Sequence, residues 1–198
     1  MTDALWYLAR GAGVVSLLLL TIVVVLGVGS RSGRPVFGLP RFAVGLVHRN
    51  AALLAVVMVA IHVVSLWFDP YAQLRVLDLV VPFDAAYRPL WVGLGTLASD
   101  LVAAIVVTSL LRHRLGVRVW RAVHWLTYAA WPVALLHGLG AGTDGAETWL
   151  RLIAGTCAAA VLAAVVWRCL PRFANPWGRR PRGATIALTD NVHSGGLW

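Results

Sequence analysis

Four histidines stand inside strongly apolar stretches and form two pairs, His48 with His62 and His124 with His137. The first pair stands at positions i and i+14, the second at i and i+13. An imidazole in apolar surroundings carries two nitrogens that need partners, so each such residue calls for chemistry: a metal ligand, a proton path or an interhelical hydrogen bond. Any one of the four, taken alone, fits a hydrogen bond between helices. Two matched pairs ask for a common cause. His113 and His193 lie in a basic connection and in the C-terminal tail, and both read as solvated.

The elements that must position these residues are membrane spans. The chain has 198 residues, 60% of them hydrophobic, and a mean hydropathy of +0.78. Apolar runs fall at about 5–28, 42–68, 90–111, 122–139 and 149–167. Each approaches or exceeds the roughly 20 residues that cross about 30 Å of hydrocarbon. The fold class expected is therefore an all-α membrane bundle of about five spans over residues 1–170. A short, basic and irregular tail follows at 171–198, rich in Arg, Pro and Gly. The first run is expected to be a retained span, because its arginines follow the apolar stretch, whereas a signal peptide carries its charge before it. Cys157 and Cys169 share one apolar run at about 18 Å of helical rise, too far apart for a disulfide.

All 17 basic residues are Arg, and the formal net charge is +9. They cluster between apolar runs, which fits the cytoplasmic face of a multi-pass protein in the plasma (inner) membrane and not a nucleic-acid partner. Segment 29–41 holds Arg31, Arg34 and Arg41 with no acid, and segment 112–121 holds Arg112, Arg114, Arg118 and Arg121 with none. The tail after 167 holds Arg168, Arg172, Arg179, Arg180 and Arg182 against one Asp190, while the connections around Asp69, Asp78 and Asp84 and around Asp144 and Glu147 are acidic or mixed. The positive-inside rule then places the N-terminus outside and the C-terminus in the cytoplasm. The connection 69–90 carries Pro70, Pro82 and Pro89 with apolar residues between them. It reads either as a short interfacial helix over the outer mouth, anchored by Tyr71, Tyr87 and Trp91, or as a loop with an apolar patch.

In this topology the second and fourth spans run in the same direction. His48 then faces His124 near the cytoplasm and His62 faces His137 near the outside. Each facing pair can supply both axial nitrogens of one haem iron, which makes two haems stacked between the spans the expected cofactors. The rise between the levels is about 20 Å. On an ideal helix the step from i to i+14 returns to within about 40° of one face, whereas the step from i to i+13 misses by about 140°. The fourth span must therefore be overwound or kinked, with Pro132 the expected place. The rival reading is a haem-free transporter or structural subunit that uses intramembrane histidines. Transporters more often show inverted repeats and broken helices, and spans two and four are instead a same-direction repeat.

Residues 1–170 resemble the ferric reductase-like transmembrane domain, the membrane half shared by ferric reductases and NADPH oxidases. The resemblance rests on the paired histidines on alternate spans, on Leu8-Ala9-Arg10-Gly11, on Leu46-Val47-His48-Arg49 and on Ala122-Val123-His124-Trp125. It implies two b haems and electron transfer from the cytoplasm outward. Larger members carry a cytoplasmic FAD/NADPH domain, and no such site is expected within this chain. The donor expected is a separate flavoprotein or a membrane quinol. The acceptor expected is external: a ferric chelate, oxygen, a quinone or a periplasmic oxidoreductase. The stand-alone haem subunit of the bacterial periplasmic methionine sulfoxide reductase system is the nearest analogy.

Haem propionates need cationic partners, and Arg49 and Arg121 stand beside His48 and His124 for that role. Both equally fit plain positive-inside topology. Arg10 resembles the family's outer-haem arginine; otherwise it snorkels to the headgroups. Asp100, inside the third span, is expected to have a polar partner: a ligand histidine, a proton or Arg10. Trp131 lies midway between the haem levels, where it either bridges the porphyrins or packs in the core. Gly11, Gly13 and the alanines of the fifth span permit close approach.

Overall fold

The computed structural model describes residues 2–32, 35, 38–70 and 72–170. Arg34, Tyr71, His193 and the rest of the tail at 171–198 lie outside the described residues. The described chain forms six α-helices: α1 (Thr2–Arg31), α2 (Arg41–Trp67), α3 (Pro89–Leu110), α4 (Arg112–His124), α5 (Thr127–Ala141) and α6 (Thr148–Cys169). Short 3₁₀ turns lie at Val76–Leu79 and Thr143–Ala146. Four helices are long and apolar enough to cross a membrane: α1, α2, α3 and α6. The fourth apolar run is built differently. It is divided between the end of α4, a turn at Trp125–Leu126 and the 15-residue α5, which rises only about 22 Å.

The helix boundaries follow local chemistry. Pro89 opens α3 at a position where its missing N–H costs nothing. Asp69 precedes Pro70 and is disfavoured in helical geometry, so α2 ends just before it. α4 is broken at Gly116, whose φ of 78° is open to glycine at little cost and strained for other residues. Its arginines Arg112, Arg114, Arg118 and Arg121 are all exposed.

α1 is the central element, packed on α2, α5 and α6, while α3 packs on α5 and α4. The main core cluster joins Leu17 and Val24 of α1, Trp131 of α5, and Cys157 and Val161 of α6. Buried hydroxyls on α1 donate within their own helix: Ser16 to Ala12 O at 2.7 Å and Thr21 to Leu17 O at 2.8 Å. Of the α6 alanines, Ala164 packs under Val28 and Ala158 borders the main cluster, whereas Ala159, Ala160 and Ala163 are exposed. Cys157 and Cys169 are free thiols.

The connection after α2 is a tethered loop with one 3₁₀ turn. Asp78 is buried, and its carboxylate accepts from Arg75 Nη2 at 2.7 Å and from the Arg75 backbone N–H at 2.9 Å. Arg75 also reaches Asp84 Oδ2 at 2.8 Å, and Thr96 of α3 donates to Asp78 O at 2.7 Å. Val76, Leu77, Val80 and Val81 remain exposed as an apolar patch. Tyr87 is also exposed, while Trp91 belongs to the first turns of α3. Hydrogen bonds from Arg75 hold the Asp78 carboxyl below the ordinary carboxylate range. A group with a lowered folded pKa stabilises above its unfolded pKa and loses that contribution as pH falls through the folded one. Asp78→Asn should therefore lower the thermal unfolding midpoint at pH 7. The gap to wild type should begin to narrow below about pH 4 and close as the pH falls through the lower folded pKa, measured by thermal scans in detergent.

Candidate functional site

The structure brings the histidines together across α2 and the α4–α5 segment. The His48 and His124 rings have centroids 6.5 Å apart with an interplanar angle of 66°. The His62 and His137 rings are 6.1 Å apart at 77°. The pairs are therefore His48 with His124 and His62 with His137, and α2 and α5 run in the same direction. The helical rise from His48 to His62 sets the two levels about 21 Å apart along α2.

Three of the rings are fixed by backbone carbonyls. Nδ1 of His48 lies 3.0 Å from Val23 O, Nδ1 of His62 lies 2.7 Å from Ala9 O, and Nδ1 of His137 lies 2.7 Å from Trp91 O. A carbonyl oxygen only accepts, so Nδ1 carries the proton and donates in each case. Nε2, on the far edge of the ring, is then the nitrogen with a free lone pair. A metal-ligating histidine is usually held in this way, with its other ring nitrogen donating to a fixed acceptor. Nδ1 of His124 is buried and has no hydrogen-bond partner among the described residues.

The carbonyls are reachable because glycines stand beside them. A Cβ at Gly13 would come within 3.0 Å of His62 Nδ1, one at Gly27 within 3.2 Å of His48 Cε1, and one at Gly95 within 2.5 Å of His137 Cε1. Gly13 therefore does admit a close approach, of a histidine, whereas Gly11 has nothing within 4 Å of the corresponding position. Gly27, Gly95 and the carbonyls of Ala9, Val23 and Trp91 are site residues that an inventory of reactive side chains overlooks. The sequence does carry a signal for them, because Gly13 and Gly27 repeat the i, i+14 spacing of His48 and His62.

Much of the shorter spacing of His124 and His137 is accommodated upstream of Pro132. Leu126 N–H donates to Val123 O at 2.9 Å, Tyr128 to Trp125 O at 3.1 Å and Ala129 to Leu126 O at 2.9 Å, all i to i−3 bonds. Trp125 N–H is shared between Ala122 O and Arg121 O. Such 3₁₀ bonding winds about 20° more per residue than an α-helix and so recovers a large part of the roughly 140° deficit. The Thr127 hydroxyl closes the turn on His124 O at 2.7 Å. Arg168 of α6 clamps it, with its guanidinium over the Trp125 ring at 4.6 Å and a hydrogen bond to Tyr128 Oη at 2.8 Å. Pro132 lies inside α5, which continues through it.

A cavity of about 440 Å³ surrounds the His62–His137 pair. Its walls include Gly13, Gly95, Leu17, Val102 and Leu135, and Arg10, Asp69 and Asp78 reach its margin. Arg10 is half-buried there, its guanidinium 4.0 Å over the Trp6 ring. Arg88 ties the α3 end of this region to α5 by donating to Gly140 O at 3.0 Å, a cation at a helix C-terminus. Arg49 and Arg121 are exposed beside His48 and His124. Asp100 is half-buried on α3 and makes no hydrogen bond or ion pair among the described residues, so the polar partner expected for it is not found there. Trp131 is buried in the core cluster, and its indole N–H donates to Thr21 Oγ1 at 2.9 Å.

Two imidazoles bound through nitrogen to one metal have centroids roughly 6 Å apart, from two bonds of about 2 Å and two ring half-widths. The ring-centroid gaps of 6.5 and 6.1 Å fit one iron between each pair. Among the described residues there is no group of three or more His, Cys, Asp or Glu that could hold a metal ion. Paired ligands suit a metal that arrives with equatorial donors of its own, as haem iron does.

A family model described as "Ferric reductase like transmembrane component" matches residues 12–135, well over half of the chain. The match takes in His48, His62 and His124 and stops just short of His137. No curated protein and no solved structure matches the chain.

Proposed function

The chain belongs to the ferric reductase like transmembrane component family, a family of membrane electron transfer, and from that premise we propose that it is a di-haem b-type cytochrome that carries electrons across the bilayer. The observation that carries the reading is the pair of facing histidine couples, each at the spacing of two ligands on one metal. His48 and His124 hold the inner haem, and His62 and His137 hold the outer one. Haem iron supplies one-electron redox chemistry when bound.

The chain's own residues supply position and environment. Carbonyls of Ala9, Val23 and Trp91 orient His62, His48 and His137 and raise their donor strength through Nδ1. The glycines open room for these bonds. The mainly apolar walls around His62 and His137 give the outer site a low-polarity surrounding. Arg10 at the cavity margin supports the outer haem's propionates, and Arg49 and Arg121 those of the inner haem. The positive-inside pattern supports the orientation of the spans, and membership of the family implies electron flow from the cytoplasm outward. The electron donor is a separate flavoprotein or a quinol of the plasma (inner) membrane. The acceptor is a ferric chelate, oxygen, a quinone or a periplasmic oxidoreductase.

Vesicles test this reading. Haem-replete protein is reconstituted into liposomes that trap ferricyanide, and a membrane-impermeant reductant is added outside. The trapped ferricyanide should bleach at a rate that scales with protein and vanishes in a His48→Leu, His62→Leu double variant. Bleaching no faster than in empty vesicles would overturn the proposal.

A further inference from the structure

The three carbonyl bonds follow one rule. The acceptor is residue i of the neighbouring helix, and residue i+4 is glycine: Ala9 with Gly13, Val23 with Gly27, Trp91 with Gly95. In a helix the side chain at i+4 lies beside the carbonyl of residue i, so a missing Cβ opens a lane along which an imidazole reaches that oxygen. On α1 the two lanes stand at the same i, i+14 spacing as the two histidines of α2 that they serve. α3 serves the α4–α5 segment in the same way. The same step along α3 from Trp91 and Gly95 leads to Ile105 and Ser109.

At this fourth position the lane is closed. The Ser109 hydroxyl donates to Ile105 O at 2.6 Å and the Thr108 hydroxyl, more distantly, at 3.2 Å, so the carbonyl is both shielded and engaged. Ser109 Oγ in turn accepts from Trp120 Nε1 at 3.2 Å. The Trp120 ring lies against the His124 ring, with centroids 5.1 Å apart and planes at 32°. His124 is the histidine whose buried Nδ1 has no hydrogen-bond partner among the described residues.

Resting on the di-haem reading above, we propose that Ser109 is a positioning residue that withholds the helix carbonyl from His124 and makes His124 the exchangeable axial ligand of the inner haem. A histidine whose Nδ1–H is not held by an acceptor is a weaker donor and is more readily displaced from a metal. His124 is held by ring contact with Trp120, which restrains it without raising its basicity. His48, His62 and His137 are anchored. A small neutral ligand that competes for reduced iron should therefore enter at the inner haem, on the His124 side, and leave the outer haem six-coordinate.

Carbon monoxide added to the dithionite-reduced, haem-replete protein is the test. Wild type should bind it at one of its two haems. His62→Leu, which keeps only the inner haem, should retain this uptake, and His48→Leu should lose it. Ser109→Gly opens the lane to Ile105 O and should weaken uptake by about tenfold or more, the scale on which hydrogen-bond partners of ligand histidines act. Ser109→Ala keeps the Cβ in the lane but removes the bonds to Ile105 O and from Trp120 Nε1, and should weaken uptake less than Ser109→Gly. Two bound haems with no carbon monoxide uptake, uptake at the outer haem, or unchanged uptake in a folded Ser109→Gly protein would each overturn this proposal alone. A wild-type protein without haem would overturn the di-haem reading itself. The wild-type and His62→Leu measurements decide the matter even where Ser109→Gly does not fold.

Discussion

Replacing His62 with Leu is expected to reduce the haem content from two per chain to about one and to abolish transfer across vesicles. His62 is anchored by Ala9 O and faces His137 at 6.1 Å, so its loss leaves the outer iron with one axial histidine in an apolar cavity. The inner pair stands about 21 Å away along α2 and shares neither carbonyl nor glycine with it. Leu fills a volume near that of His and is at home in a span, so the bundle should persist. Difference spectra and pyridine haemochrome assays should show one b-type component where wild type has two. Equal loss of both haems would mean that the sites assemble interdependently or that the pairing is wrong.

Gly95→Ala should remove the outer haem with nearly as large an effect, although Gly95 itself offers no ligand atom. The new Cβ would sit 2.5 Å from His137 Cε1 and 2.7 Å from its Nδ1, closer than packed atoms tolerate. The ring must turn away, and the bond from Nδ1 to Trp91 O then breaks. Overpacking of this kind costs about 1–3 kcal/mol. Ala is favoured over Gly in a helix interior by about 1 kcal/mol, so the net loss of stability is small beside the displacement of a ligand. Gly11→Ala is the matched control, because nothing lies within 4 Å of its new Cβ. The first variant should lose at least half of the bound haem while retaining its helical circular dichroism, and the second should keep both haems.

The spans are legible in the sequence because hydrocarbon thickness imposes a length on apolar runs, and α1, α2, α3 and α6 lie where those runs are. The pairing of His48 with His124 and of His62 with His137 is legible for a different reason. Arginine placement gives the expected direction of each span, and direction decides which histidines meet. The break in the fourth run is not where the sequence suggests it. Pro132 is the residue that advertises a kink, yet the overwinding sits at Trp125–Leu126, where tertiary clamping by Arg168 supports it and no side chain announces it. The carbonyls of Ala9, Val23 and Trp91 are hidden because every residue carries a carbonyl; only the glycines at i+4 distinguish these three. The loop after α2 is hard to read for a similar reason, since its order comes from Arg75 engaging both Asp78 and Asp84. Trp131 reads in the sequence as a porphyrin bridge or, more often for such an aromatic, as core; its indole reaches Thr21 on α1, a direction that spacing along one helix does not give.

The central claim is that each facing pair of histidines holds one haem, and counting protohaem against protein tests it most directly. Protein purified from haem-replete cells should contain close to two non-covalently bound haems per chain, extracted as protohaem and matched by two iron atoms. A chain that binds none, or that binds one whether or not His62 is present, would contradict it.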